Sequence, residues 1–274
     1  MHAQAAGPTA PVRSLPSALE KLPLLLEALG PEPPRLFLDF DGTLSDIVDD
    51  PEDAALVSGL GPVLERLATR MPLAFVSGRE TSDVEARVRI KGAMFAGSHG
   101  LDIRGPGFTH RVGAEASAAL SELLPRLLAL AGDVPGLHVE EKALGLALHY
   151  RGTDEVNPVR LEETLSRLAG EQPTLRLIRG KKVFELRPAQ SWNKGDAVRW
   201  LLDRPEFIRA GGRPIYIGDD LTDEDALAVV RDRGIGIVVR GENDDRESAA
   251  HYALANPGEV ARFLERLATH VDPR

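Results

Sequence analysis

The chain has 274 residues, 43% hydrophobic and 27% charged, an ordinary globular composition with room for one large domain or for a core and a smaller companion. A formal net charge of −9 argues against the basic face that a nucleic-acid binder needs, but not against a phosphorylated small molecule held by a local cluster of cations. No stretch approaches the roughly 18 apolar residues of a membrane helix, and the absence of cysteine excludes disulfides and thiolate metal sites and suits the cytosol, so no membrane is expected and the location is read as cytoplasmic.

Residues 1–34 open on small, polar and Pro-bearing residues without the basic-then-apolar order of a signal peptide, and read as a frayed N-terminal arm. Arg35-Leu-Phe-Leu-Asp39 is the first strong strand, a short apolar run that breaks into Asp-Gly-Thr. Pro62 to Arg70 reads as a helix, Leu73-Ala-Phe-Val-Ser77 as a second strand, Thr81 to Val88 as a helix and Ala93-Met-Phe-Ala96 as a third strand. Strands alternating with helices predict a parallel sheet with right-handed crossovers.

The rhythm then changes. Gly105-Pro-Gly107 is a breaker, and Glu115 to Ala131 is a long amphipathic helix. Strands at Leu137 to Glu141 and Leu144 to Tyr150 follow, then a helix from Val156 to Ala169, then strands at Leu175 to Arg179 and Lys182 to Arg187. Helix-strand-strand, twice, predicts a small antiparallel sheet backed by two helices. After Pro188 the first rhythm resumes with a helix at Lys194 to Leu202, a strand at Pro214 to Gly218, a helix at Asp223 to Arg231, a strand at Gly234 to Val239 and a last helix from Pro257 to Thr269. The expected fold class is therefore α/β. A doubly wound, Rossmann-like parallel-sheet core spans residues 35–104 and 189–274, and an α+β cap at 105–188 is inserted in it. Pro and Gly at both crossings fit a pair of hinges.

Ligands of open parallel sheets bind beyond the carboxyl ends of the strands. There the first strand presents Asp39-Phe-Asp41-Gly-Thr43, the second Ser77-Gly78-Arg79 and the late strand Gly218-Asp219-Asp220, while Lys194 opens the helix after the insertion. Two carboxylates two residues apart at a strand end point to the same side. Both stay ionised only if a cation sits between them or one keeps a proton. Asp219, Asp220 and Asp223 add negative charge, which suits a hard cation with oxygen ligands, Mg²⁺ above all. A carboxylate is a known nucleophile in phosphoryl transfer, and Lys194 and the Ser77 hydroxyl are suited to hold phosphoryl oxygens.

These four segments resemble, in type and order, the motifs of the haloacid dehalogenase superfamily. One DxDGT alone is as easily a surface turn; four motifs in order, each at a strand end or helix start, are not. By the resemblance Asp39 is the nucleophile and Asp41 the general acid/base. Ser77, Gly78 and Lys194 then hold the phosphate, and Mg²⁺ is bound by Asp39, the Asp41 main-chain carbonyl and Asp219, with Asp220 and Asp223 behind them. Further segments resemble the trehalose-6-phosphate phosphatases: Ser77-Gly-Arg79, Gly97-Ser-His99-Gly100, Val139-Glu-Glu-Lys142 leading to His149-Tyr-Arg151, Lys181-Lys-Val-Phe-Glu-Leu-Arg-Pro188, and Gly218-Asp-Asp-Leu-Thr-Asp-Glu-Asp225. That resemblance runs from about Leu36 to Asn256. It implies hydrolysis of trehalose 6-phosphate through an aspartyl-phosphate, with Arg79, His99 and Gly100 near the substrate. A phosphatase of sucrose or glucosylglycerol phosphate, and a non-catalytic sugar-phosphate sensor, are the competing readings. The expected ligand is a small sugar phosphate, a trehalose-6-phosphate synthase is a partner, and the chain is a monomer. Asp102 departs from the Glu frequent at that position.

Alternation supports a recognition face on the cap. Glu140 and Lys142 share one face of their strand; Leu144, Leu146, Leu148 and Tyr150 face the helices, with His149 and Arg151 opposite. Lys181 and Glu185 also share a face. An open sheet face with Glu140, Lys142, Arg151, Lys181 and Glu185 matches a polar disaccharide, although cross-strand ion pairs on a solvated face would leave the same pattern. His110, His138 and His251 show no metal-ligand spacing.

Overall fold

The computed structural model describes residues 9–152, 157–180, 182–241 and 244–272. Along the chain come α1 (Leu22–Leu29), β1 (Arg35–Leu38), α2 (Leu60–Ala68), β2 (Leu73–Val76), α3 (Thr81–Val88), β3 (Met94–Gly97), β4 (Asp102–Gly105) and β5 (Phe108–Arg111). Next are α4 (Ser117–Gly132), β6 (His138–Lys142), β7 (Gly145–His149), α5 (Pro158–Gly170), β8 (Leu175–Gly180) and β9 (Val183–Pro188). The chain ends with α6 (Lys194–Leu202), α7 (Pro205–Ala210), β10 (Pro214–Gly218), α8 (Glu224–Arg231), β11 (Ile235–Val239), β12 (Tyr252–Leu254) and α9 (Pro257–Val271). Asn starts three of the helices: Asn157, Asn193 and Asn256 each accept main-chain N–H bonds from the first turn, and Asp196 completes a capping box with Asn193. No helix among the described residues is long and apolar enough to cross a membrane.

Two compact units result, one made of the chain up to Thr109 and from Trp192 onward, the other of His110–Ser191. The first is built on a sheet of order β12-β11-β10-β1-β2-β3-β4-β5, parallel from β12 to β3 and antiparallel between β3 and β4. Successive side chains alternate between its faces. Leu36, Leu38, Phe75, Ile217 and Ile237 pack under α1, α2 and α9; Phe37, Val76, Tyr216 and Val238 pack under α6, α7 and α8. From β1 the chain winds outward through β2 and β3, and after the insertion it winds the other way through β10, β11 and β12. The order reverses at β1, and an open sheet splits into a crevice at that point.

In the second unit β6-β7-β9-β8 form an antiparallel sheet. Leu146, Leu148, Tyr150, Phe184 and Leu186 bury one face against Leu123 and Leu127 of α4 and Leu161, Leu165 and Leu168 of α5.

Three expectations change. The stretch from Ala10 is no frayed arm: Ala10–Pro11 pair with Glu247–Ser248, Val12 is fully buried, and Leu22, Leu25 and Leu29 of α1 enter the core. Gly105-Pro-Gly107 does not leave the core but turns from β4 into β5, so the crossing falls after Thr109. Lys182, read as the start of a strand, has φ +63° and β9 begins at Val183. Val156, read as a helix start, lies outside the described residues.

Candidate active site

Asp39, Ser77 and Asp219 sit where core strands stop, and Lys194 opens a helix. β1 delivers Asp39, whose main-chain N–H still donates to Ile217 of β10 at 2.9 Å and so fixes the carboxylate at the sheet edge. Three residues on, Gly42 has φ +69°, and a Cβ there would stand 2.0 Å from Asp219 Oδ2. Only glycine lets the turn after β1 come this close to the turn after β10. Lys194 is the first residue of α6 and is buried. A cation there opposes the helix dipole, and the ion pairs it makes compensate.

Those pairs form the centre of the site. Lys194 Nζ donates to Asp39 Oδ1 at 2.8 Å and to Asp223 Oδ1 at 2.8 Å. Asp223, fully buried, also accepts from the Tyr216 hydroxyl and from the N–H groups of Asp219 and Asp220, both at 3.1 Å. It is thus a brace saturated with donors, tying β10, its turn and α6 together. Asp220 turns its carboxylate to Thr222, capping the short helix Leu221–Asp223.

Asp39, Asp219 and Asp223 offer carboxylate oxygens that all lie within 4.8 Å of one another. Three carboxylates against one ammonium leave an excess of negative charge in a buried place. Burial first, then Asp223 and Asp219, push the Asp39 carboxyl well above the usual range against the pull of Lys194. Burial likewise raises Asp219 to about 7, with Asp223 and Asp220 adding to it and Lys194 and Arg246 opposing. Burial works to lower Lys194, but Asp39 and Asp223 outweigh it and its pKa rises. A hard divalent cation taking oxygen ligands would relieve this strain, and the donor set fits one.

Asp39 and Asp219 open into a cleft of about 550 Å³ that is also lined by Asp41, Gly78, Arg79, His99, Lys194 and Asp220, and by Ile47, Val48, Pro51 and Thr222; Asp223 lies buried behind it. Ser77 lies buried, its Oγ accepting from Arg79 N–H at 3.2 Å. Arg79, expected beside substrate, grips Asp41: Nε and Nη2 donate to its two carboxylate oxygens at 2.7 and 2.8 Å. Its remaining donors reach Asp83 at 2.8 Å and the Pro51 carbonyl at 2.8 Å. Every guanidinium nitrogen of Arg79 is thus engaged, and two of these bonds hold Asp41 at the edge of the cleft that Arg79 also lines. Ser98, His99 and Gly100 all have positive φ, and this turn sets the His99 ring so close to Gly78 that a Cβ there would lie 2.8 Å away. Gly100 does not line the cleft. A Cβ on it would be 2.4 Å from Ala197 Cβ, and its carbonyl accepts from the Trp192 indole at 2.8 Å, which makes it a packing residue. Asp102 is buried in an ion pair with Arg104 at 2.7 Å.

On the second unit, Lys142 Nζ donates to Glu185 at 2.9 Å and lies 3.8 Å from Glu140, which meets His149 Nε2 at 2.8 Å. Arg187 also pairs with Glu185. Burial raises Glu185, yet Lys142 and Arg187 outweigh it and hold the carboxyl below the usual range. These residues meet because β7 carries only Gly145 and Ala147 between them; Glu140 and Glu185 both pair with Ala147. Arg151 is exposed beyond β7, and Lys181 lies outside the described residues.

Tyr216, Arg187 and Arg246 escaped the sequence reading. Tyr216 reads as one more apolar strand residue, since its hydroxyl leaves no trace in a hydrophobic pattern. Arg187 does share the face of Glu185 by alternation, a usable signal. Arg246, whose guanidinium donates to the Asp219 carbonyl, lies in a charged loop without period.

Comparison with known proteins agrees with this geometry. Residues 37–258 match the Trehalose-phosphatase family. The chain is 41% identical over 273 residues to a trehalose-phosphate phosphatase of Mycobacterium marinum, covering 95% of this chain and 69% of that one. To the trehalose-phosphate phosphatase of Mycobacterium tuberculosis it is 44% identical over 261 residues, covering 93% and 66%. Among solved structures, the C-terminal domain of the Candida albicans trehalose-6-phosphate phosphatase superposes with a TM-score of 0.68 at 24% identity, covering 93% of this chain and 98% of that one, a likeness of fold.

Proposed function

From the premise that the chain belongs to the trehalose-phosphatase family, we propose that it hydrolyses trehalose 6-phosphate to trehalose and phosphate, with each residue acting as follows. One observation carries the reading: buried Asp39 sits 2.8 Å from the Lys194 ammonium at the switch point of the sheet, with Asp219 beside it and Asp41 in the same cleft. An Asp39 oxygen attacks phosphorus, and the bond between phosphorus and the sugar's 6-oxygen breaks. Asp41 gives that oxygen its proton. The resulting aspartyl-phosphate is then attacked at phosphorus by a water that Asp41 deprotonates, which frees inorganic phosphate and returns both carboxyl groups to their starting state.

Lys194 balances the phosphoryl charge, and Ser77 and the main chain at Gly78 hold its oxygens. Asp39, the Asp41 carbonyl and Asp219 would hold Mg²⁺, which when bound would add positive charge beside the phosphoryl oxygens. Arg79 keeps Asp41 in place. The cap face with Glu140, Lys142, Glu185 and Arg187 offers acceptors and donors suited to sugar hydroxyls, and Arg151 and Lys181 belong to the same reading. The substrate comes from a trehalose-6-phosphate synthase, and the chain works as a monomer in the cytoplasm.

Phosphate release from a panel of sugar phosphates tests the assignment. Trehalose 6-phosphate is expected to outpace sucrose 6-phosphate and glucose 6-phosphate, with strict dependence on Mg²⁺ and complete loss in Asp39→Asn. Equal rates across the panel would remove trehalose from the reading, and turnover by Asp39→Asn would remove the covalent step.

A further inference from the structure

The N-terminal segment runs along the loop before β12. Ala10 and Pro11 pair antiparallel with Ser248 and Glu247, and the buried Val12 donates its N–H to the Arg246 carbonyl at 2.9 Å. Arg13 adds an exposed ion pair to Asp245 at 2.7 Å. The Arg246 side chain points the other way, inward, and its guanidinium donates to the main-chain carbonyl of Asp219. Glu224 at 3.7 Å and Asp244 at 3.5 Å flank it.

Asp219 is therefore held from two directions. Its N–H is fixed by Asp223 Oδ2 at 3.1 Å, from within its own turn. Its carbonyl is fixed by Arg246, which the N-terminal segment in turn holds against the core. The carboxylate between them packs on Gly42 with no room for a Cβ, so a small rotation of this residue would carry its oxygens away from Asp39. A ligand set tolerates only about 0.5 Å of such displacement.

We propose that Arg246 is a positioning residue for the cation centre and that the Ala10–Val12 segment is the strap that keeps it there. The inference rests on the reading of Asp219 as a cation ligand. Arg246 has two opposed influences on a bound cation. Its charge repels Mg²⁺, but Glu224 and Asp244 largely offset that charge. Its hydrogen bond orients a ligand, and this influence dominates.

Titration calorimetry of the metal-free full chain with MgCl₂ separates the two. Arg246→Met is expected to weaken Mg²⁺ binding about tenfold, the low end for loss of a group that orients a metal ligand. Arg246→Lys, which keeps one donor, should recover part of that loss. In turnover the defect should fall on the half-saturating Mg²⁺ concentration more than on kcat. Val12→Pro deletes the N–H that holds the Arg246 carbonyl and should weaken binding beyond Val12→Ala, which keeps it. If the unaltered chain bound no Mg²⁺, the cation centre and this inference would both fall. If it bound Mg²⁺ and Arg246→Met bound equally or more tightly, only the positioning role would fall. Equal affinities for Val12→Pro and Val12→Ala would overturn the strap.

Discussion

Replacing Asp219 with Asn should make the metal-free protein more stable while destroying its response to Mg²⁺. Asp219 titrates at about 7 instead of an ordinary 3.8. At about 1.4 kcal/mol per pKa unit, keeping it ionised at pH 8 costs the fold up to about 4 kcal/mol. Asn is isosteric and neutral but brings an amide that needs partners, so about half of this should be regained, about 2 kcal/mol or a rise in Tm of about 4–6 °C. The sign with pH is definite. A carboxyl whose folded pKa is raised contributes stability below its unfolded value near 4 and loses it as pH rises through 7. The advantage of Asp219→Asn should thus be full at pH 8, smaller at pH 5.5 and absent near pH 4. Thermal melts with EDTA and with 5 mM MgCl₂ follow both effects. Mg²⁺ should raise the Tm of the unaltered chain more at pH 8 than at pH 6, and should leave Asp219→Asn unmoved. A variant less stable than its parent at pH 8 in EDTA would refute the idea of a strained acidic cluster.

Lys194→Met leaves Asp39 and Asp223 buried without their shared ammonium, so chemical denaturation should show a loss of about 3–5 kcal/mol together with loss of turnover; a stable but inactive variant would reduce Lys194 to a substrate contact. Arg79→Lys gives up the two-point hold on Asp41, and kcat with trehalose 6-phosphate should fall about 10–100-fold. An aryl phosphate, whose leaving oxygen needs little protonation, should lose much less, and an equal loss would place Arg79 outside the proton path. Glu185→Ala removes the common partner of Lys142 and Arg187 and should raise KM for trehalose 6-phosphate about tenfold, roughly one lost charge-assisted contact. Hydrolysis of an aryl phosphate should be spared; equal loss on both would make Glu185 structural.

The strands that build the crevice were legible because burial on both faces leaves continuous apolar runs such as Leu36-Phe-Leu38 and Ile215-Tyr-Ile217. What escaped lacked that signal. Asp102-Ile-Arg-Gly105 and Phe108-Thr-His-Arg111 sit at the sheet edge, mix charge with apolar residues and enclose a Pro-Gly turn, so they read as an exit from the core. The N-terminal segment was hidden by composition. Small residues and proline at Ala10–Pro11 read as disorder, although Pro11 pairs on an edge where no main-chain donor is missed.

At the site the same contrast holds between residues chosen by topology and residues chosen by contact. Asp39, Ser77 and Asp219 are forced to one edge by the winding of the sheet, so finding the strands finds them. Arg79 sits at the same edge, but a guanidinium faces whichever carboxylate is nearest, and Asp41 and Asp83 are both within 2.8 Å. No pattern in one chain distinguishes that outcome from a substrate clamp. Lys194 shows how far local rules extend. A lysine at the start of a helix, buried and against the dipole, contradicts every preference of its position. It persists because two buried carboxylates from distant turns converge on it, and such a conflict between local and global choice marks a site of chemistry rather than of packing.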